Sequence, residues 1–195
     1  MGPGSILAPT ASRKRQLLGA AEGVMDPLRE LLTIDSRQAL AFFVLGFQDV
    51  SEPSVDQQEL LYNASVLAHY AQVSTQSDVD WPAPANLSAI FDHFVSDTTL
   101  QHDGLMMETA GAQCLLLAGF FEDQMRRRHN IRWYAELGAS FFRRAALQER
   151  SLHKVRVLDA IARRFEPWRQ RHAQLSRELR DQPYLLTPLR PPTLM

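Results

Sequence analysis

The sequence predicts an all-α protein: a single-domain helical bundle or orthogonal array of about seven or eight helices. Apolar residues recur at helical spacing along most of the 195 residues, and no convincing strand alternation appears. An apolar content of 45% and a charged content of 22% are ordinary for globular proteins. The length fits one domain, and several helices with short connections favour a bundle.

The first half of the chain alternates between helical patterns and turn signals. Its predicted helices cover about residues 12–25, 27–32, 36–45, 55–73 and 85–95. The third is rich in Phe and Val and is the most strand-like segment of the chain. Ser54 and Gln57 form a capping-box pattern that predicts the start of the fourth helix. A polar, acidic loop follows over 74–84 and ends in Trp81-Pro82-Ala83-Pro84.

The second half contains the most apolar segment. A helix is predicted over about 105–128, and its centre, 114–121, is apolar all round, which is typical of a helix surrounded by others. Asn130 is expected to end it, because Asn tolerates a left-handed cap. The next helix covers 131–148. Ser151 is expected to cap a last helix that extends to Asp181, with Pro167 kinking it midway.

Both ends of the chain are expected to lie outside the helical domain. Residues 1–10 are interpreted as a disordered start that includes a remnant of an expression tag, and residues 11–181 as the helical domain. Residues 182–195 form a proline-rich extended tail. The tail contains a Pro-x-x-Pro pattern, the minimal ligand of polyproline-binding domains, and chance occurrence is the favoured explanation.

The formal charge of -1 conceals two oppositely charged halves. Residues 1–124 carry 5 Lys+Arg against 16 Asp+Glu, and residues 125–195 carry 16 against 6. Such asymmetry is a hint of nucleic-acid or membrane contact, or of two surfaces that face each other. Because the acidic helices must fold beside the basic ones, we expect much of the charge to be matched inside the domain.

Clusters of arginine interleave with aromatic residues in the basic half. Single-stranded nucleic-acid sites need cations for phosphates and rings for stacking, so these arginines are candidates for binding nucleic acid or a partner. The favoured alternative is a helix end and a core stripe, since cations complement a helix C-terminus. The candidates are Arg126, Arg127, Arg128, Arg132, Arg143, Arg144, Arg156, Arg163 and Arg177.

A short heptad-like seam lies on the last predicted helix, opposite Arg156, Arg163 and Arg177. Its five residues follow a 3-4-3-4 step: Phe165, Trp168, His172, Leu175 and Leu179. The seam spans two heptads, fewer than a convincing coiled coil needs. Packing inside the chain's own bundle is the favoured explanation. A second subunit or a partner protein is the alternative.

No constellation of reactive residues points to an enzyme. The single cysteine, Cys114, lies in an apolar run and is expected to be buried and inert. The six histidines show no metal-ligand spacing, so neither a metal nor a cofactor is predicted. Glu108 is either a buried acid with a raised pKa or, as we favour, a solvent-facing group or the partner of a C-terminal arginine.

The leading hypothesis is a non-enzymatic interaction or regulatory protein that presents helical surfaces to another protein or to a second copy. Nucleic-acid association through the basic half is the alternative. A helical enzyme or small-molecule carrier is a further one, with an apolar pocket drawn from Met106, Met107, Phe120, Phe121 and Met125. A cytoplasmic location is expected, because the longest apolar runs are too short to span a bilayer.

Overall fold

The computed structural model describes residues 36–76, 102–127 and 129–181. Over these ranges the chain forms seven α-helices and no strand, which confirms the predicted all-α class. The helices are α1 (Ser36–Asp49), α2 (Gln57–Gln76), α3 (Gly104–Leu115), α4 (Glu122–Met125), α5 (Ile131–Gln148), α6 (Leu152–Arg163) and α7 (Phe165–Asp181). A π-helical segment, Leu116–Phe120, connects α3 to α4.

The α1–α2 pair shows how local chemistry sets the helix ends. The strand-like Phe- and Val-rich segment is helical, because Ala39, Phe43 and Phe47 recur at helical spacing and are buried. The capping-box prediction at Ser54 is wrong. Asp56 caps α2 instead: its Oδ1 accepts hydrogen bonds from the backbone N–H of Gln58 and Glu59.

The predicted long apolar helix is interrupted. The backbone widens to π geometry over Leu116–Phe120, and the N–H of Phe121 donates to the carbonyl of Leu116 at 2.9 Å. A Cβ on Gly119 would lie 2.8 Å from the Cβ of His172 and 3.0 Å from the carbonyl oxygen of Arg169. Glycine at this position therefore allows the π segment to pack directly against the backbone of α7.

Two further boundaries differ from the sequence prediction. Asn130 begins α5 instead of ending the previous helix, because its side chain accepts a hydrogen bond from the N–H of Trp133 at 3.2 Å. The predicted kinked helix is two helices, α6 and α7, separated at Arg164. Pro167 lies in the first turn of α7, where its missing N–H costs no helical hydrogen bond. Ser151 caps α6, as predicted.

Helix α7 lies at the centre of the packing and contacts α1, α3, α5, α6 and the π segment. The five seam residues on α7 are all buried within this chain, none more than 5% exposed. Phe47 of α1 packs edge-on against the rings of Trp168 and His172. The seam therefore holds α7 in the core and is not exposed to a second chain.

Several predictions fall outside the described residues. They concern the disordered start, the helices at 12–25, 27–32 and 85–95, most of the acidic loop, and the proline-rich tail. Among the helices that the structure describes, none combines the length and apolar character needed to cross a membrane.

Candidate functional site: an arginine-lined groove

An open groove of about 760 Å³ lies where α4, α5, α6 and α7 meet. It brings together parts of the chain that are distant in sequence, including the connection before α5 and the start of α7. We call it the arginine groove. Its charged lining residues are Arg126, Arg132, Arg163, Arg169, Glu122, Glu136 and Glu166.

The floor of the groove is an ion-pair cluster around a buried carboxylate. Glu122, only 4% exposed, accepts hydrogen bonds at Oε1 from Arg126 Nε (3.0 Å) and Nη2 (2.9 Å) and from Arg169 Nη1 (2.8 Å). Arg177 approaches Oε2 at 3.7 Å. A buried carboxylate is tolerated when its lone pairs are filled in this way, and the cluster joins α4 to α7.

Arg169 connects the floor of the groove to its wall. Its Nε and Nη2 donate to the two carboxylate oxygens of Glu166 at 2.8 and 2.7 Å, a bidentate pair. The hydrogen bond from Arg169 is the main reason why the pKa of Glu166 is lowered. Nη1 also donates to the carbonyl of Ala118 at 3.1 Å. That carbonyl belongs to the π segment, where widening the helix changes which backbone oxygens have helical partners.

The rim of the groove consists of two exposed ion pairs within single helices. Arg132 and Glu136 pair at 3.0 Å on α5, and Asp159 and Arg163 pair at 2.8 Å on α6. Such i,i+4 pairs contribute little to stability, because solvent screens them. Each groove arginine nevertheless has a carboxylate beside it, so positive and negative groups alternate across the surface.

The structure separates the nine candidate arginines into groups. Arg126, Arg132 and Arg163 line the groove, and Arg177 reaches the far side of Glu122. The side chains of Arg127, Arg143 and Arg156 are exposed, and in the described part of the chain no carboxylate lies within ion-pair distance of them. Two candidates remain: Arg144 is exposed, and Arg128 lies outside the described residues.

A second polar cluster lies buried beneath the seam. Glu59 Oε2 accepts from Arg164 Nε at 2.9 Å and from Trp168 Nε1 at 2.8 Å, while Glu59 Oε1 forms an ion pair with Arg164 Nη2. One turn along α2, Asn63 lies 3.0 Å from His172 Nε2. Burial lowers the pKa of His172 to about 3. The cluster connects α2 to α7; its Arg164 side chain is 52% exposed and reaches the surface, while Glu59, Asn63 and His172 are buried.

Ion pairs between separate segments match the two halves of the chain, as their charges predict. In the described ranges the pairs between acidic and basic halves on different segments are Glu59–Arg164, Glu108–Lys154, Glu122–Arg169, Glu122–Arg177 and Asp123–Arg180. Glu108 therefore pairs with a lysine of the C-terminal half, at 2.6 Å, and not with an arginine. It also accepts a hydrogen bond from the Tyr62 hydroxyl.

Sequence reasoning missed all three carboxylates that line the groove, and also Arg169. Glu122, Glu136, Glu166 and Arg169 were not singled out in the sequence. A signal was present for Arg169, which follows Trp168 directly and therefore lies at the edge of the apolar seam. Glu122 likewise follows the apolar run of the π segment, where a charge is unusual and needs a partner.

The remaining chemical candidates are part of the core. Cys114 is buried, and burial raises the pKa of its thiol to about 12. Met107, Phe120, Phe121 and Met125 are buried, and Met106 packs against them. Across the three described ranges, no group of three His, Cys, Asp or Glu side chains is placed to hold a metal ion.

Comparison of the chain with protein-family models, with curated proteins and with solved structures finds no match in any of the three.

Proposed function

We propose that this chain is a non-enzymatic interaction protein that binds a segment of another protein in the arginine groove. The observation that carries the proposal is the alternating charge of the lining, four arginines against three glutamates. A protein segment that carries both acidic and basic side chains can replace the members of these ion pairs one by one. Its acidic groups bind the arginines, and its basic groups bind the glutamates. The groove's size also suits a short peptide segment or a single helix face.

The same lining argues against a nucleic acid as the main ligand. Nucleic-acid sites gain affinity from cations that neutralise successive phosphates and release counterions. In the groove each arginine is already next to a carboxylate, and Glu136 and Glu166 would face the phosphates. Like charges brought together in this way oppose binding.

Exchanging the members of each rim pair tests the proposal. The groove variant carries Arg132→Glu, Glu136→Arg, Asp159→Arg and Arg163→Asp, which keeps both i,i+4 pairs and the net charge. The matched control, Ser65→Arg with His69→Glu, adds one ion pair on the exposed face of α2. Each protein is used for affinity capture from lysate of the native host, and bound protein and nucleic acid are quantified by mass spectrometry and absorbance.

We expect the native chain and the control to capture a defined partner protein. The groove variant should capture at least tenfold less of that protein. A tenfold loss corresponds to about 1.4 kcal/mol, which several exchanged charges readily supply. The proposal fails if the groove variant captures the same proteins as the native chain. It also fails if nucleic acid is captured and protein is not.

A further inference from the structure

The end of the α1–α2 hairpin is acidic and carries exposed leucines. Residues 45–61 contain four acidic side chains (Asp49, Glu52, Asp56 and Glu59) and no Lys or Arg. Glu59 is buried on Arg164, whereas the other three are exposed. The leucines at the two ends of this stretch, Leu45 and Leu61, are 54% and 51% exposed. We call this surface the acidic end.

Exposed leucines also flank the α5–α6 turn, and here the surrounding charge is positive. Residues 143–156 contain five basic side chains and a single acid, Glu149. Leu147 and Leu152 are 82% and 76% exposed and are the most exposed large apolar side chains of the described residues. Arg143 lies one turn before Leu147, and Arg156 lies one turn after Leu152. We call this surface the basic end.

Lys154 of the basic end pairs with Glu108 and Glu149, but each end also carries charged side chains that form no ion pair. In the described ranges Arg143, Arg150 and Arg156 form no ion pair. Asp49 forms none either, and Glu52 acts only at a distance on Arg171, opposing the decrease in the Arg171 pKa that burial causes. Exposed leucines bordered by charge are typical of contact surfaces, because a partner can cover the apolar part while its charges match the border.

We propose that two copies of this chain associate head to tail, with the acidic end of one on the basic end of the next. Both ends present two leucines and uncompensated charge, and the charges are opposite. The occupant that complements each end is therefore the other end of a second copy. The contact joins different surfaces: it closes as a two-fold dimer when both ends of each copy engage at once, and it extends to a ring or an open chain when they engage different copies.

The proposed contact is small and largely electrostatic, which fixes its expected behaviour. Association should be weak, should rise with protein concentration and should be suppressed by salt. The Debye length decreases from about 10 Å at 0.1 M salt to about 3 Å at 1 M salt, so charge complementarity across the contact is largely screened at the higher value. The contact lies outside the arginine groove, so its test is independent of the proposed function.

Sedimentation of the full chain over a concentration series is the first measurement. At low salt the mean mass should increase above 22.1 kDa with concentration and return to it at high salt. A mass that remains at 22.1 kDa up to the solubility limit overturns the proposal. Association that is unaffected by salt also overturns it, because charge would then not be its basis.

Charge reversal at each end identifies the surfaces. Variant B carries Arg143→Glu and Arg156→Glu, and variant A carries Asp49→Lys and Glu52→Lys. In each variant the substituted end then carries equal numbers of acidic and basic side chains and no longer complements the other end, so each alone should sediment as a monomer with unchanged helical circular dichroism. Mixed in equal amounts, they should associate again, because variant B keeps the native acidic end and variant A the native basic end.

The mixture distinguishes a lost surface from a damaged fold. Recovery of association on mixing supports the head-to-tail contact, since misfolded variants would not complement each other. A mixture that remains monomeric overturns the proposal. So does association of either variant alone at the native level.

Discussion

Individual polar residues, buried among apolar ones, determine how α7 is held. Glu59 accepts hydrogen bonds from both Arg164 and Trp168, and its neighbour Asn63 engages His172. Asn63 Nδ2 donates to the carbonyl of Glu59, which leaves Oδ1 facing the histidine. His172 Nε2 is therefore the donor, and burial favours the neutral ring by lowering its pKa. A specific arrangement of hydrogen bonds thus accompanies the apolar packing of the seam.

Replacing Glu59 by Gln should destabilise the protein measurably. The amide keeps the size of the side chain but removes its charge and one of its acceptor oxygens beside Arg164 and Trp168. Loss of a charge-assisted hydrogen bond at a buried site costs about 1–3 kcal/mol. Urea denaturation should show a lower midpoint for Glu59→Gln. The control Arg132→Gln, on an exposed rim pair, should leave the midpoint unchanged.

The stability of the protein should fall as pH is lowered below about 6.5, partly through His172. Its pKa is lowered to about 3 in the folded state by burial, so the unfolded chain takes up a proton that the folded chain does not. The stabilisation is complete above the unfolded pKa of about 6.5 and is lost progressively below it, by about 1.4 kcal/mol per pH unit.

Urea titrations between pH 7 and pH 5 test this dependence. The variant His172→Gln retains an N–H donor for Asn63 but has no proton to gain in this range. The native chain should therefore lose more stability than the variant between the two pH values. Equal losses in the two proteins would mean that His172 is not the group that responds.

Single residues were the hardest features to predict from sequence. The burial of the seam follows from its spacing, because apolar side chains three and four residues apart share a helix face. The partners of Glu59 and the Arg169 partner of Glu122 do not follow, because these contacts join residues separated by 47 to 109 positions along the chain. The position of a charged residue on a helix does not indicate which residue of another helix will pair with it.

At the scale of helices, close approach is decided by small residues. Gly138 of α5 faces both α3 and α7: a Cβ there would lie 2.8 Å from the Cβ of Cys114 and 2.5 Å from Phe165 Cζ. The Cβ of Cys114 is bonded directly to the backbone, so side-chain rotation cannot move it away. The helices can therefore pack at this distance only if the position lacks a side chain.

Gly138→Ala should consequently separate α5 from its neighbours and cost about 1–3 kcal/mol, as overpacking of a core usually does. Gly46→Ala is the matched control, since its Cβ would meet only the terminal Cδ1 of Leu175, which can shift. Helix propensity favours alanine at both positions by up to about 1 kcal/mol. Urea midpoints that rank Gly138→Ala at or above Gly46→Ala would contradict this packing.

Among local caps, Ser151 was predicted correctly, whereas Ser54 and Asn130 were not: Asp56 caps α2, and Asn130 begins α5. Ser151 caps α6 as predicted, because the cap is a property of neighbouring residues. The π segment depends on the approach of α7 to Gly119, which no local pattern indicates. The division at Arg164 precedes Pro167 by three residues. Proline disrupts the turn before it, so a helix break there is physically reasonable in retrospect.

For the whole molecule, the opposite charges of the two halves are largely used inside the fold. Acidic residues of α2, α3 and α4 pair with basic residues of α6, α7 and the Arg164 junction. Exposed pairs add about 0–1 kcal/mol each, so their main effect is to favour one neighbour over another. Two features remain: the lining of the arginine groove, where arginines lie beside glutamates, and the charged side chains of the acidic end and the basic end that form no ion pair.

Site-specific photo-crosslinking tests the central claim, that the arginine groove binds a segment of another protein, most directly. A photoreactive residue replaces Ala139, which lines the groove, or Ser65 on the exposed face of α2 as control. After irradiation in cells of the native host, we expect a discrete protein adduct from position 139 that is absent from position 65. Adducts with nucleic acid at 139, or the same adducts at both positions, would contradict it.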